Sequence, residues 1–355
     1  MIRMLAALGG LVLLAGCELG PKQSTQTGYR GTGLDQIVDV RHIAKATAIP
    51  PAPYPLPPDG GPTAGQSYQN VRVVAGLSKE RFDHLMAEMN QWVAPAEQGC
   101  NYCHNPANMA SDEKYTKVVA RRMLQMTQNI NSRWASHVKT TGVTCYTCHR
   151  GNAVPENKWA LAEGTTEPNT ILRNKHGQNT PNQNVGYASL PYDPFAQYLN
   201  GTAQIRVASS SPFPNANHIV SIKAAEQSYG LMMHVSGALG VNCTYCHNSQ
   251  SFRAWNLSRA QRGTAYYGIR MVRDINENYI SSLQRVFPAY RKGPHGDPYK
   301  VNCTTCHQGV SKPLGGVSMI AQAPILWGGA GPGAVPEGGA VPEAFARPAA
   351  MTGTK

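Results

Sequence analysis

The chain has 355 residues, of which 41% are hydrophobic, and it carries 35 glycines, 26 prolines and nine cysteines. So many turn formers on so modest an apolar content exclude a large, strand-rich core. The formal net charge of +12 suits an anionic partner, but no basic run carries interleaved aromatics, and nucleic acid is not that partner.

The N-terminus reads as a targeting segment. Arg3 supplies a short positive region, and Met4 to Ala15 is apolar but too short to span a bilayer. Leu14-Ala15-Gly16-Cys17 has the pattern of a bacterial lipobox. Residues 1–16 are therefore expected to be a lipoprotein signal peptide, with Cys17 the lipid anchor on the exported side. Several acyl chains on one cysteine anchor stably, and no other stretch is apolar enough to cross. An arm over 17–66 follows, in which Pro50, Pro51, Pro53, Pro55, Pro57, Pro58 and Pro62 forbid regular helix.

Ordered elements begin near residue 67. A helix is expected over 78–93, with Ser78 as N-cap and Phe82, Leu85, Met86, Met89 and Val93 on one face. Pro95 ends it. A longer helix is expected over 114–139, where Val119, Met123, Met126, Ile130 and His137 share a stripe. Residues 156–216 carry little periodicity and read as a connector, with Asn200-Gly201 a turn that suits a hairpin. Further helices are expected over 217–239 and 258–284. The segment 313–355, rich in Pro, Gly and Ala, is expected to be disordered.

Four pentapeptides punctuate these helices: Cys100-Asn101-Tyr102-Cys103-His104, Cys145-Tyr146-Thr147-Cys148-His149, Cys243-Thr244-Tyr245-Cys246-His247 and Cys303-Thr304-Thr305-Cys306-His307. Cys-x-x-Cys-His is the attachment motif of c-type haem. The thiols add to the haem vinyl groups as thioethers, and His104, His149, His247 and His307 take the proximal side of the iron. Zinc or redox dithiols do not require a histidine directly after the second cysteine in every copy. Four covalently bound haem c groups are expected, and they supply the apolar bulk that the composition lacks. Their propionates also offset part of the positive charge.

The order helix, motif, helix, motif occurs twice. Met126 to Asn131 echoes Met271 to Asn276, and Leu85-Met86 echoes Leu231-Met232. The fold expected is mainly α, in two pseudo-repeated dihaem halves over 67–155 and 217–312. Each iron also needs a distal ligand, and thioether sulfur gives a higher potential than a second imidazole. Met86 serves the first haem, with Met89 its competitor on the same face; Met123 serves the second and Met232 the third. Because Met126 aligns with Met271, Met123 aligns with Gly268, and the fourth haem lacks its repeat-related methionine. His137 lies on nearly the same face as Met123, roughly 21 Å further along the axis, and is the expected fourth ligand. His42, His84, His176, His218, His234 and His295 are not.

The chain resembles the tetrahaem cytochrome subunit of purple-bacterial photosynthetic reaction centres. The resemblance is carried by the motifs with Thr141-Gly142-Val143-Thr144 before Cys145 and Arg150-Gly151 after His149. It is carried too by Arg121-Arg122-Met123-Leu124-Gln125-Met126, by Leu231-Met232-Met233, and by Arg270 to Asn276. It covers most of residues 68–312, departing by one extra residue within 94–99 and by the long tail. It implies three His–Met haems and one bis-His haem, with iron ligand pairs His104/Met86, His149/Met123, His247/Met232 and His307/His137. It further implies a near-linear haem row and an electron relay, not an enzyme. The relay would draw on a soluble periplasmic donor, cytochrome c2 or a high-potential iron–sulfur protein, and re-reduce the special pair held by membrane subunits L and M, with H. The place implied is the periplasmic face of the photosynthetic membrane. The residues by themselves also fit a respiratory tetrahaem lipoprotein.

Overall fold

A computed structural model describes residues 20–26, 35–161, 182–205, 207 and 221–328. The lipobox with Cys17, the centre of the connector with His176 and His218, and residues 329–355 lie outside the described residues. Among those described the chain is mainly helical, with two small two-stranded sheets.

The arm is more structured than its composition suggests. Strand β1 (Lys22–Gln26) pairs antiparallel with β2 (Asp35–Asp39), Lys22 facing Asp39. Asp39 then caps α1 (Val40–Thr47), its carboxylate accepting the Arg41 amide at 2.9 Å. The helix is possible because no proline falls between Pro21 and Pro50. This helix lies along the body. Arg150 Nη1 donates to Ala46 O at 2.9 Å, and the His42 ring reaches Gln308 O at 3.1 Å.

After the single turn α2 (Ala64–Ser67) comes α3 (Lys79–Val93). Ser78 has the extended backbone of an N-cap, but its buried hydroxyl makes no capping bond. The fully buried side of α3 is His84, Leu85, Glu88 and Trp92. Phe82, Met86, Met89 and Val93 are only half-buried, because their side faces a cavity instead of protein. Helix α4 (Tyr115–Arg133) breaks at Trp134, and α5 (Ala135–Val138) carries His137. One unbroken helix was expected there. At the break the Trp134 indole donates to Asp274 at 2.7 Å, so tertiary contact turns the chain.

The second motif forms α6 (Cys145–His149), followed by β3 (Lys158–Trp159) and α7 (Phe195–Leu199). Asn200-Gly201 closes that short helix; no hairpin forms there. Helix α8 (Ile222–Leu239) is capped by Ser221, and α9 (Ala260–Asp274) continues as a π-helix over Ile275–Ile280. Strand β4 (Lys300–Val301) pairs with β3 and leads into α10 (Cys303–His307), the fourth motif.

The expected disorder of the tail does not hold for 313–328. Short 3-10 turns at Pro313–Gly316 and Pro324–Trp327 bury Leu314, Met319, Ile320, Ala323 and Leu326 in one core with Leu85, Trp92 and Leu124. These side chains follow no helical or strand period, and tertiary burial orders the segment.

Two buried asparagines hold the chain where it enters the second and fourth motifs. Asn131 donates to Val143 O at 2.9 Å and accepts from Val143 N at 2.7 Å; Asn276 does the same with Val301 O and N, at 3.0 and 2.9 Å. Each also donates at 2.8 Å to a fully buried leucine's carbonyl, Leu326 for Asn131 and Leu199 for Asn276. A tail segment thus fills for one motif the slot that the connector fills for the other. Asn276→Ala would strand three backbone groups, each costing about 1–3 kcal/mol when buried without a partner. It should lower stability by about 3 kcal/mol in denaturant unfolding, and Asn131→Ala by a similar amount.

Candidate functional site

All four motif histidines are held by the same ring nitrogen. Nδ1 of His104 meets Met109 O at 3.0 Å, His149 meets Asn152 O at 2.8 Å, His247 meets Phe252 O at 2.9 Å and His307 meets Val310 O at 3.1 Å. A carbonyl only accepts, so the proton sits on Nδ1 and the Nε2 lone pair is left for a metal. His137 follows the same rule, its Nδ1 lying 2.9 Å from Thr264 O. These are the five histidines assigned to iron from the sequence. His42 and His84 instead spend Nε2, on Gln308 O and Tyr54 O. His234 keeps a buried Nε2 without a partner, and burial pushes its pKa down to about 3.

The motifs fall into two local geometries. The second and fourth are single helical turns, α6 and α10. The residue after each histidine, Arg150 or Gln308, is left-handed at φ 52°, followed by Gly151 and Gly309 at φ 82° and 84°. In each, the threonine before the second cysteine accepts the amide that precedes the first, Thr144 N to Thr147 at 3.0 Å and Asn302 N to Thr305 at 2.9 Å. The first and third motifs are 3-10 turns, Gly99–Tyr102 and Cys243–Tyr245, and their histidines reach carbonyls further downstream.

Burial raises the pKa of the Cys145 and Cys303 thiols to about 12 and of Cys246 to about 11. It pushes His149, His247 and His137 down, and His307 to about 4 with His137 beside it. Neutral sulfurs suit uncharged thioethers, and neutral imidazoles suit an iron ligand. Among the described residues no three His, Cys, Asp or Glu side chains converge as a zinc site would need.

A cavity of about 690 Å³ fits a haem-sized group. Cys100, Cys103 and His104 line it with Met86, Met89 and Met123, and it runs on to Cys145 and His149. Met86 and Met89 both face it. Met126 does not line it and packs with Ile130 and Met271. Met232 borders the core of Leu231 and Ile269, while Met233 reaches toward Gly186. One contact supports pairing Met86 with Met232. The Gly151 amide donates to Trp92 O at 2.9 Å and the Gly309 amide to Ala238 O at 2.8 Å, at the same distance along the helix from each methionine. Two residues beyond those methionines, Glu88 is buried like His234, and burial raises its carboxyl to about 8.

The rings of His137 and His307 are 6.0 Å apart, centre to centre, at 70°. Two imidazoles flanking one metal at bonds of roughly 2 Å would stand about so. Gly268 makes the approach possible: a Cβ there would lie 2.5 Å from His137 Cε1 and 2.7 Å from Nδ1. The position that lacks the repeat-related methionine is the bed on which His137 lies. Helices α6 and α10 pack against each other, with Cys306 near enough to Cys148 to raise its pKa, which brings the second and fourth attachment points together. Sequence reasoning missed this contact and the asparagine clamps, although Asn131 and Asn276 close the repeated hexapeptide it identified.

A mainly helical chain with Cys-x-x-Cys-His turns and Nδ1-anchored imidazoles is a c-type cytochrome, and its sites suit covalently bound haem c. The family model described as photosynthetic reaction centre cytochrome C subunit matches residues 18–327. The photosynthetic reaction center cytochrome c subunit of Rubrivivax gelatinosus is 50% identical over 322 residues, 90% of this chain and 87% of that protein. Its namesake from Thermochromatium tepidum is 46% identical, over 89% of this chain and 78% of that one. The one from Roseobacter denitrificans is 37% identical, over 85% of each. The chain belongs to the family of photosynthetic reaction centre cytochrome c subunits.

Gly268→Ala should push His137 off its bed and abolish the bis-imidazole signal in low-temperature electron paramagnetic resonance. Gly263→Ala, on the same helix with nothing within 4 Å of the added carbon, should leave that signal intact.

Proposed function

We propose that this chain is a tetrahaem electron relay that re-reduces the photo-oxidised special pair of a photosynthetic reaction centre with electrons from a soluble periplasmic donor. Five histidines, each with Nδ1 on a backbone carbonyl and Nε2 left for iron, carry the reading. Family membership supports photosynthetic electron transfer as the setting. Bound haem would supply a one-electron couple at each motif, and no substrate bond is made or broken.

In this reading the axial pairs are His104/Met86, His149/Met123, His247/Met232 and His307/His137, and the cysteines of the four motifs hold the thioethers. Two related halves supply two sites each. The sites run in the order first, second, fourth, third. The first and second share a cavity, the second and fourth are joined by the packing of α6 on α10, and the third stands to the fourth as the first to the second. The partners are subunits L and M, with H, and a cytochrome c2 or high-potential iron–sulfur protein. Cys17 carries the lipid on the periplasmic side. No described helix is long and apolar enough to cross a membrane, and an acylated cysteine would supply the attachment.

Pyridine haemochrome assay of the mature protein should give four haems per chain, and three or fewer would contradict the reading. In membranes a single flash should oxidise c-type haem as the special pair recovers. Absence of flash oxidation would favour a respiratory role. Cys17→Ala should leave the protein unlipidated and either unprocessed or free of the membrane.

A further inference from the structure

Lys117 on α4 is buried, and its Nζ donates to three successive carbonyls: Met109 O at 2.9 Å, Ala110 O at 2.8 Å and Ser111 O at 2.8 Å. Three acceptors match the three N–H donors of an ammonium. The first of them, Met109 O, also accepts the Nδ1 proton of His104. One carbonyl oxygen therefore serves both the candidate axial imidazole of the first haem and a buried cation.

The arrangement is not repeated in the second half. Arg262 stands nine residues before Met271 as Lys117 does before Met126. Its Nη1 donates to Ala254 O at 3.1 Å and Ser258 Oγ at 2.8 Å, past the Phe252 carbonyl that holds His247. The charge on Lys117 is offset only in part. Asp112 lies 3.4 Å away, but it also pairs with Arg121 at 2.8 Å and Arg72 at 3.4 Å.

We propose that Lys117 is a positioning residue that sets the reduction potential of the first haem site through the Met109 carbonyl. The proposal rests on the haem reading of the first motif. Two effects act with the same sign. The ammonium draws on the carbonyl's lone pairs, so the carbonyl accepts the His104 proton less strongly and the imidazole is a weaker donor to ferric iron. A buried positive charge nearby also favours the state with one positive charge fewer. Both raise the potential. Three bonds from one side chain to residues 109–111 also keep the accepting carbonyl in place.

The test is an equilibrium redox titration of the haem-loaded protein carrying Lys117→Met or Lys117→Arg. A double variant, Cys100→Ala with Cys103→Ala, identifies the first site by the haem and the midpoint that disappear. If the double variant keeps its full haem content, the haem reading of the first motif fails, whatever Lys117 does. Lys117→Met should keep every haem and lower the first site's midpoint by about 59 mV or more, the one-electron equivalent of a tenfold change in the reduction equilibrium. The other midpoints should move much less, and Lys117→Arg should restore most of the shift. An unchanged first midpoint at full haem content, or an equal fall at every site, would overturn the proposal. Should Lys117→Met lose the first haem, Asp112→Asn decides. It removes a counter-charge and leaves Lys117 on its carbonyls, so the same midpoint should rise. A midpoint that stays or falls would overturn the proposal.

Discussion

Five imidazoles are pinned by Nδ1 to backbone carbonyls, and much of the local structure serves that one interaction. An unpinned imidazole could present either nitrogen and rotate about its side-chain bonds. A carbonyl on Nδ1 fixes both tautomer and orientation. The left-handed residues Arg150 and Gln308, with the glycines after them, turn the chain so that the carbonyl needed lies a few residues downstream. The first and third motifs meet the same need with a longer loop. In the first of them Lys117 clamps that loop from α4.

The same interaction joins parts of the chain far apart in sequence. His137 is held by Thr264 O and lies against Gly268, both of α9, and its ring faces His307 of α10. Three elements therefore define one site, and the missing Cβ at Gly268 is as much a part of it as the imidazoles. In the proposed reading a short route between sites would follow, because α6 and α10 pack together. The proposed mixture of axial ligands would suit such a relay. Thioether and imidazole ligation hold irons at different potentials, and a buried charge placed as Lys117 is would adjust one of them without altering its ligands.

The helices beside the motifs were legible in the sequence, because a fixed stripe of apolar residues marks each one. The stripe on α3 had a second meaning that periodicity cannot convey. Met86 and Met89 face a cavity, whereas the densest packing lies on the side of Leu85 and Trp92. The register linking Met123 to Gly268 was legible too, since the repeated hexapeptide fixes it. Elsewhere the deciding forces were not local. Residues 313–328 look like the Gly/Pro tail beyond them, yet Leu314, Met319, Ile320 and Leu326 complete a core whose other members lie far back in the chain. The break at Trp134 depends on Asp274, and α1 depends on a cap by Asp39 inside a segment that composition marks as irregular. Such pairings become visible only once the chain has folded.

The central claim is that a histidine of α5 and the histidine of the fourth motif share one iron. Low-temperature electron paramagnetic resonance of oxidised His137→Met, read beside a redox titration, tests it most directly. The account predicts that the bis-imidazole signal gives way to a His–Met signal and that one low midpoint rises, while the other haems keep their ligands. A bis-imidazole signal that persists unchanged would contradict the account and place another histidine, such as His234 with its free Nε2, on the fourth iron.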